Sequence, residues 1–325
     1  MSTSSAVSLG ALRQAAQERS DNENNNAITS EAWNQFITQS YKTIYNMLVS
    51  AYGNDYYVAT TYQFQLSNSQ TYPFPDGSPS FLDVNGNQAT KFWKLLGVDL
   101  QYSSSPTGWV TLKRFEWIER NKFAWPNTAI NWFGYTNLRY TVQGNNLYVV
   151  PVPMAGQVAR IFYVPAPTNL QFRLPAYSNA SSNVIGSITD TTGLTIGMNI
   201  TGSAVPANTT ISAVGSTTVT LSQNANSTLN QFLISAWNDN TLIDGIAGWE
   251  EFVIIDAAIK AQGKQENDTT QLFAEREAMV QEIEAMAEAR DLGQAFHVSD
   301  VLGSNAYGGS GYDGMGNDGG WGDQW

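Results

Sequence analysis

Between residues 177 and 238 the sequence carries a single charged side chain, Asp190, in 62 residues. The stretch is rich in Ser, Thr, Asn, Gly and Val. It alternates: Thr209-Thr210-Ile211-Ser212-Ala213-Val214 and Thr217-Thr218-Val219-Thr220-Leu221-Ser222 place apolar or β-branched residues at period two, the pattern of half-buried strands. Gly193, Gly197, Gly202 and Gly215 supply turns. The segment therefore predicts a small, separate all-β module. A disordered linker is the weaker rival, because linkers have no reason to repeat β-branched residues at period two. The flanking sequence reads differently, so the chain must be built in pieces around this insert.

Upstream, residues 3–18 predict a short helix through Leu9, Leu12, Ala15 and Ala16. A second helix is predicted from Glu31 to Ala51, with Ser30 as N-cap and Glu31 in the first turn, where the helix dipole favours a carboxylate. Trp33, Phe36, Ile37, Tyr41, Ile44, Tyr45 and Leu48 form its apolar stripe, read as core. Strands follow at Tyr56–Leu66 and Phe92–Leu100. Arg139–Val142 and Leu147–Val150 flank Gln143-Gly144-Asn145-Asn146 and predict a hairpin. Val158–Val164 is expected as its third antiparallel strand. Leu112, Phe115 and Ile118 suit a short helix over Leu112–Asn121.

After Gly245 helical spacing returns. Trp249, Phe252, Val253, Ile255, Ala258 and Ile259 predict one helix ending near Gly263. Asp268 and Gln271 resemble a capping box for another helix carrying Leu272, Phe273, Met279, Ile283 and Met286, closing near Asp291-Leu292-Gly293. From Gly303 onward glycine dominates, spaced by aromatic residues, and the segment cannot form its own core.

Charge follows the same partition. The net charge is −12. Residues 1–247 hold 13 acidic and 12 basic side chains, residues 248–302 hold 12 and 4, and residues 303–325 hold three Asp and no base. Acidity is a C-terminal property, which disfavours nucleic-acid binding through a basic patch. The absence of Cys excludes disulfides, thiolate metal sites and a cysteine nucleophile. No apolar run reaches the ~20 residues of a membrane span, and Met1–Ser20 lacks the order of a signal peptide, so no membrane association is expected.

Catalytic motifs are sparse. The one His, His297, has no Gly-x-Ser-x-Gly partner motif. There is no phosphate-binding loop. Asp83-Val84-Asn85-Gly86-Asn87 starts like a calcium loop, but its Gly comes too early and no closing Glu follows, so it reads as a turn. Glu116 and Glu119 lie among aromatic residues, as a glycan hydrolase would require; pairing of Glu116 with Arg120 explains them as well. No catalytic residue, cofactor or metal is assigned, and an enzyme is not expected.

Two separated stretches carry a resemblance. "SEAWNQFITQSYKTIYNMLVSAYGNDYY", "FWKLLGVDL", "LKRFEWIERN" and "LRYTVQGNNLYVVPVPMAGQVARIFYVPAPTNL" come first. "GWEEFVIIDAAIKAQGKQENDTTQLFAEREAMVQEIEAMAEARD" closes the pattern. Together they resemble tailed-phage head-to-tail adaptor, or connector, proteins over residues 9–175 and 241–302. The insert resembles small β modules of phage tail and decoration proteins. The resemblance implies an α+β chain: a helical-bundle adaptor core with a central antiparallel β region and an inserted small all-β domain. Its parts would be residues 1–176, the insert 177–238, the completing helices 239–302 and a docking tail 303–325. It further implies a virion protein at the portal vertex, in a homo-oligomeric ring, usually of twelve subunits, below the portal protein. Tail-tube, nozzle or tail-fibre proteins would attach to it, and viral genomic DNA would pass through without specific binding, repelled if the acidic helices line the channel. Tyr307, Tyr312, Met315, Trp321 and Trp325 would be the docking residues of the tail. A tail-tube, nozzle or fibre-attachment subunit is the alternative, and a particle-associated glycan hydrolase the third reading.

Overall fold

A computed structural model describes residues 7–23, 27–53, 60–102, 108–124, 138–246 and 248–289. The chain opens with α1 (Leu9–Arg19) and α2 (Ser30–Ala51). Thr29, one residue before the expected cap, accepts from the Ala32 amide at 3.3 Å and starts α2, with Ser30 already helical. The apolar stripe of α2 is core as predicted, with Trp33, Ile37, Ile44 and Leu48 fully buried.

Next come β1 (Thr60–Gln65), β2 (Thr71–Pro73), β3 (Phe92–Gln101), β4 (Trp109–Thr111), β5 (Lys113–Arg114), a 3-10 turn at Trp117–Glu119, α3 (Arg120–Ala124), β6 (Arg139–Gln143), β7 (Asn146–Val150) and β8 (Val158–Pro165). They make two four-stranded sheets, ordered β1-β8-β3-β4 and β2-β7-β6-β5. The sheets share one core, in which Tyr62, Tyr72, Val98, Leu147, Val149 and Ile161 are buried. Phe74 stacks on Phe92 across it, ring centroids 3.8 Å apart. Between Leu82 and Gln88, which pair, the Asp83 carboxylate accepts from the Asn85 and Asn87 amides, a turn as read. These hydrogen bonds hold the carboxyl below its ordinary range.

The predicted β6–β7 hairpin forms, with Tyr140 opposite Val149. β8, however, does not extend it. It lies between β1 and β3 in the other sheet, Ile161 facing both Tyr62 and Val98. Pro151 and Pro153 follow β7 directly and have no N–H for a ladder, so the chain leaves one sheet and enters the other. β8 thereby becomes a central strand, with Tyr163 in the sheet core and Val164 against the helices. The helix expected over Leu112–Asn121 is also corrected. The Leu112 amide donates to Val98 O and the Phe115 amide to Tyr140 O, at 2.8 and 3.0 Å. Those two buried residues are sheet contacts, and helix begins only beyond them, while Ile118 is 83% exposed.

A closed six-stranded barrel follows: β9 (Gln171–Ser178), β10 (Val184–Gly186), β11 (Asn199–Gly202), β12 (Thr209–Val214), β13 (Val219–Leu221) and β14 (Leu229–Trp237), in the order β10-β13-β12-β11-β14-β9. Its interior holds Ile185, Ile200, Ile211, Val219, Leu221 and Ile234. Closure removes the unpaired edges that an open sheet of such uncharged strands would present. The barrel takes in Gln171–Ala176 as well as the uncharged stretch, because β9 is needed to close between β10 and β14.

The chain ends its described part with α4 (Glu250–Lys264) and α5 (Thr270–Ala289). Asp268 accepts from Thr270, and Gln271 reaches forward to Glu275, so no reciprocal capping box forms. The expected stop at Asp291–Gly293 lies outside the described residues. α1, α2, α4 and α5 bury one core through Leu12, Trp33, Ile44, Phe252, Val253 and Ile283. Asp256, 6% exposed, links three of these helices. It pairs with Lys260 at 2.6 Å and Arg276 at 2.9 Å, and Lys260 also donates to the Ser40 hydroxyl. The fold is thus mixed α+β.

Removing one member of a buried charge cluster costs more than the cluster contributes, because the remaining charges lose their partner. Asp256→Ala is expected to destabilise by about 2–3 kcal/mol in denaturant unfolding, and Lys260→Ala by clearly less, since Arg276 still neutralises Asp256. Tyr41, 1% exposed, donates to Asp244 O at 2.9 Å, and burial pushes its hydroxyl up to about 12. A raised folded-state value means the contribution is whole below the unfolded value near 10 and is lost as pH climbs towards 12, at most about 3 kcal/mol. Tyr41→Phe is expected to remove that part of the alkaline loss, measured by unfolding across the same range.

Candidate interaction surfaces

The helical layer and the barrel meet at a built junction. In β9 and β14 alternate residues face inward: Phe172, Leu174 and Ala176 from one, Phe232, Ile234 and Ala236 from the other. The intervening residues face outward, and one row of them meets α2. Register sets Arg173 opposite Ser235, and Ser235 opposite Thr201. One row across three strands thus meets a single carboxylate, Glu31, in the first turn of α2. The Ser235 hydroxyl donates to Glu31 Oε1 at 2.5 Å and Thr201 to Oε2 at 3.4 Å; Arg173 Nε lies at 3.8 Å. The helix N-terminus favours the negative charge there. The chain leaving the barrel is held by α1: the Leu9 and Gly10 amides, which lack partners within the helix, donate to Thr241 O and Asp239 O at 2.9 Å. Arg13 bridges Asp239 and Asn34. A Cβ on Gly10 would lie 3.2 Å from that of Asp239.

A cleft of about 630 Å³ opens where the helices, the first sheet and the barrel converge, lined by Tyr45, Asp76, Lys91, Phe172 and Asp244 among others. Asp76 and Asp190 of the facing loops are each occupied by their own turns: Asp76 accepts from the Ser78 amide and Asp190 from Thr192, which lowers both carboxyls. Gln88 likewise donates to Gly77 O, at 2.8 Å.

Glu116 and Glu119 stand at the surface around the 3-10 turn. Glu119 pairs with Lys122 at 3.4 Å. Arg120 does not take up the expected pairing with Glu116 in the geometry seen; it donates to Trp117 O and lies over the Trp117 ring, 5.2 Å from its centroid. Among the described residues the two carboxylates flank a braced aromatic side chain, Trp117. On the first sheet Arg160 is held by Asp99 at 2.8 Å and lies against the rings of Trp109 and Phe162, at 4.2 and 4.9 Å. Exposed Trp93, Tyr102 and Val110 belong to the same β3–β4 region.

Two surfaces differ in charge. Lys113 and Arg114 of β5, with Lys122, are exposed beside Trp117 and Ile118. The outer side of α5 presents Glu277, Glu282 and Glu284. Among the described residues no helix is long and apolar enough to cross a membrane, and no group of three or more His, Asp or Glu is arranged to hold a metal. The expected docking residues Tyr307, Tyr312, Met315, Trp321 and Trp325, and His297, lie outside the described residues. Sequence reading missed the Glu31 junction, because only strand register reveals that Arg173, Ser235 and Thr201 share a row. The basic surface had a visible signal: five of the 12 bases before residue 248 fall within residues 113–139.

No curated protein matches the chain. A family model described as SU10 adaptor protein matches residues 7–185. That span takes in α1, α2, both four-stranded sheets and the first barrel strands, and it agrees with the resemblance read from the sequence. More than half of the chain is covered, and the chain belongs to the SU10 adaptor protein family.

Proposed function

We propose that this phage adaptor protein assembles as a ring, of twelve subunits by likeness to head-to-tail adaptors, below the portal of a tailed-phage virion. It extends the DNA channel and presents a surface to which tail-tube, nozzle or fibre proteins attach. Family membership across α1, α2 and both four-stranded sheets is the observation that carries this reading. In it, residues 1–176 and 239–302 form the adaptor core, residues 177–238 the insert, and residues 303–325 the docking arm. Tyr307, Tyr312, Met315, Trp321 and Trp325 anchor that arm on the portal protein: five large apolar side chains spaced by glycine are costly to leave in water and can adapt to a partner groove.

Charge supports free passage of DNA. Residues 248–302 hold 12 acidic and four basic side chains; where these helices line the channel a ring multiplies their charge, and phosphates are repelled rather than held. The chemistry of the surface fits a role in assembly: Asp76, Asp83, Asp190 and Asp268 are engaged in turns, and Asp99, Asp239 and Asp256 in ion pairs.

Electron microscopy of the purified full chain, with and without its portal protein, tests the proposal. A closed ring that caps the portal is expected, and Trp321→Ala with Trp325→Ala is expected to weaken portal binding while leaving the ring intact. A ring that stacks on tail tube and ignores the portal would move the protein into the tail; absence of any ring under both conditions would overturn the proposal.

A further inference from the structure

Five bases, Lys113, Arg114, Arg120, Lys122 and Arg139, share residues 113–139 with two acids, Glu116 and Glu119. This is the most basic stretch of a strongly acidic chain. Lys113 and Arg114 form β5, the outermost strand of the second sheet, and Lys113 pairs with Arg139 of β6. Trp117 and Ile118 project from the same stretch, 37% and 83% exposed. Trp117 does not swing freely: its ring meets Tyr148 edge-on at 4.9 Å and Arg120 covers its face. The result is a basic shelf with a fixed apolar centre.

The opposite chemistry is on α5. Its inner side, Arg276, Met279, Val280 and Ile283, turns towards the helical core. Phe273, Glu277, Gln281 and Glu284 follow one another at helical spacing on a single outer stripe. Phe273 is 49% exposed, and Glu277 and Glu284 are exposed with no ion pair among the described residues. An apolar side chain followed along one stripe by unpaired carboxylates is complementary to an apolar centre set beside bases.

The two surfaces stand on different layers of the fold, one on the second sheet and one on the helices. Two complementary, non-overlapping patches on one chain make a head-to-tail contact, which repeats from copy to copy and yields a ring when the rotation closes. We infer that the basic shelf around Lys113, Arg114, Trp117 and Lys122 docks the Phe273–Glu284 stripe of α5 on a second copy of this chain. This inference rests on the ring proposed above and names its contact. The shelf's charge is then spent on a neighbouring subunit and not on DNA.

The test compares the full chain with Lys113→Glu, Arg114→Glu and Lys122→Glu combined, with Glu277→Lys and Glu284→Lys combined, and with all five together. Mass photometry and sedimentation read assembly, and circular dichroism verifies folding. If a reversal perturbs folding, the Gln-substituted counterparts of the same residues replace it. Each reversed set is expected to weaken assembly roughly tenfold or more, and the five-fold combination to restore it. Rings that survive either reversal, or a combination that restores nothing, would overturn this contact and leave the ring proposal standing. A wild-type chain that never forms rings, alone or with the portal, would overturn both.

Discussion

One carboxylate at the start of α2 holds the barrel to the helices. A barrel closed on itself has satisfied its backbone and its interior, so nothing in its own stability fixes where it stands on the rest of the chain. Glu31 supplies that fix by meeting Thr201, Ser235 and Arg173, one from each of three adjacent strands. The contact is half-exposed, so its strength comes from hydrogen bonds to a charged acceptor rather than from Coulomb attraction alone. Trp237 completes the junction by burying its ring in the helical core from the end of β14.

The rest of the architecture hangs from this join. β8 is central in its sheet and contacts the helices through Val164, then leads within a few residues into β9. The segment after β14 is received by the free amides of α1. Both ends of the barrel are therefore tied into layers that were already packed, and the insert is presented in a defined place.

Sequence patterning made some of this legible and concealed the rest. The α2 stripe, the β6–β7 hairpin and the β character of the insert follow from periodicity, which reports burial on one element. Pairing between elements does not. Val158–Val164 was expected beside the hairpin because it is next in sequence, whereas two prolines send it to the other sheet. Leu112, Phe115 and Ile118 have helical spacing, yet the first two are sheet contacts three residues apart and the third is exposed. Glu31 looked like a helix-dipole residue and is also the barrel's anchor. The aromatic residues of 303–325 stand out by composition alone and lie outside the described residues.

The central claim, that the Glu31 row fixes the barrel to the helices, is tested most directly by a double-mutant cycle on the full chain. Glu31→Gln and Ser235→Ala would be measured singly and together by denaturant unfolding. A coupling energy of about 1–2 kcal/mol is predicted, within the range of roughly 0.5–3 kcal/mol for residues sharing one hydrogen-bond network. Strictly additive effects would mean that Glu31 and Ser235 do not support one another, and would contradict the account.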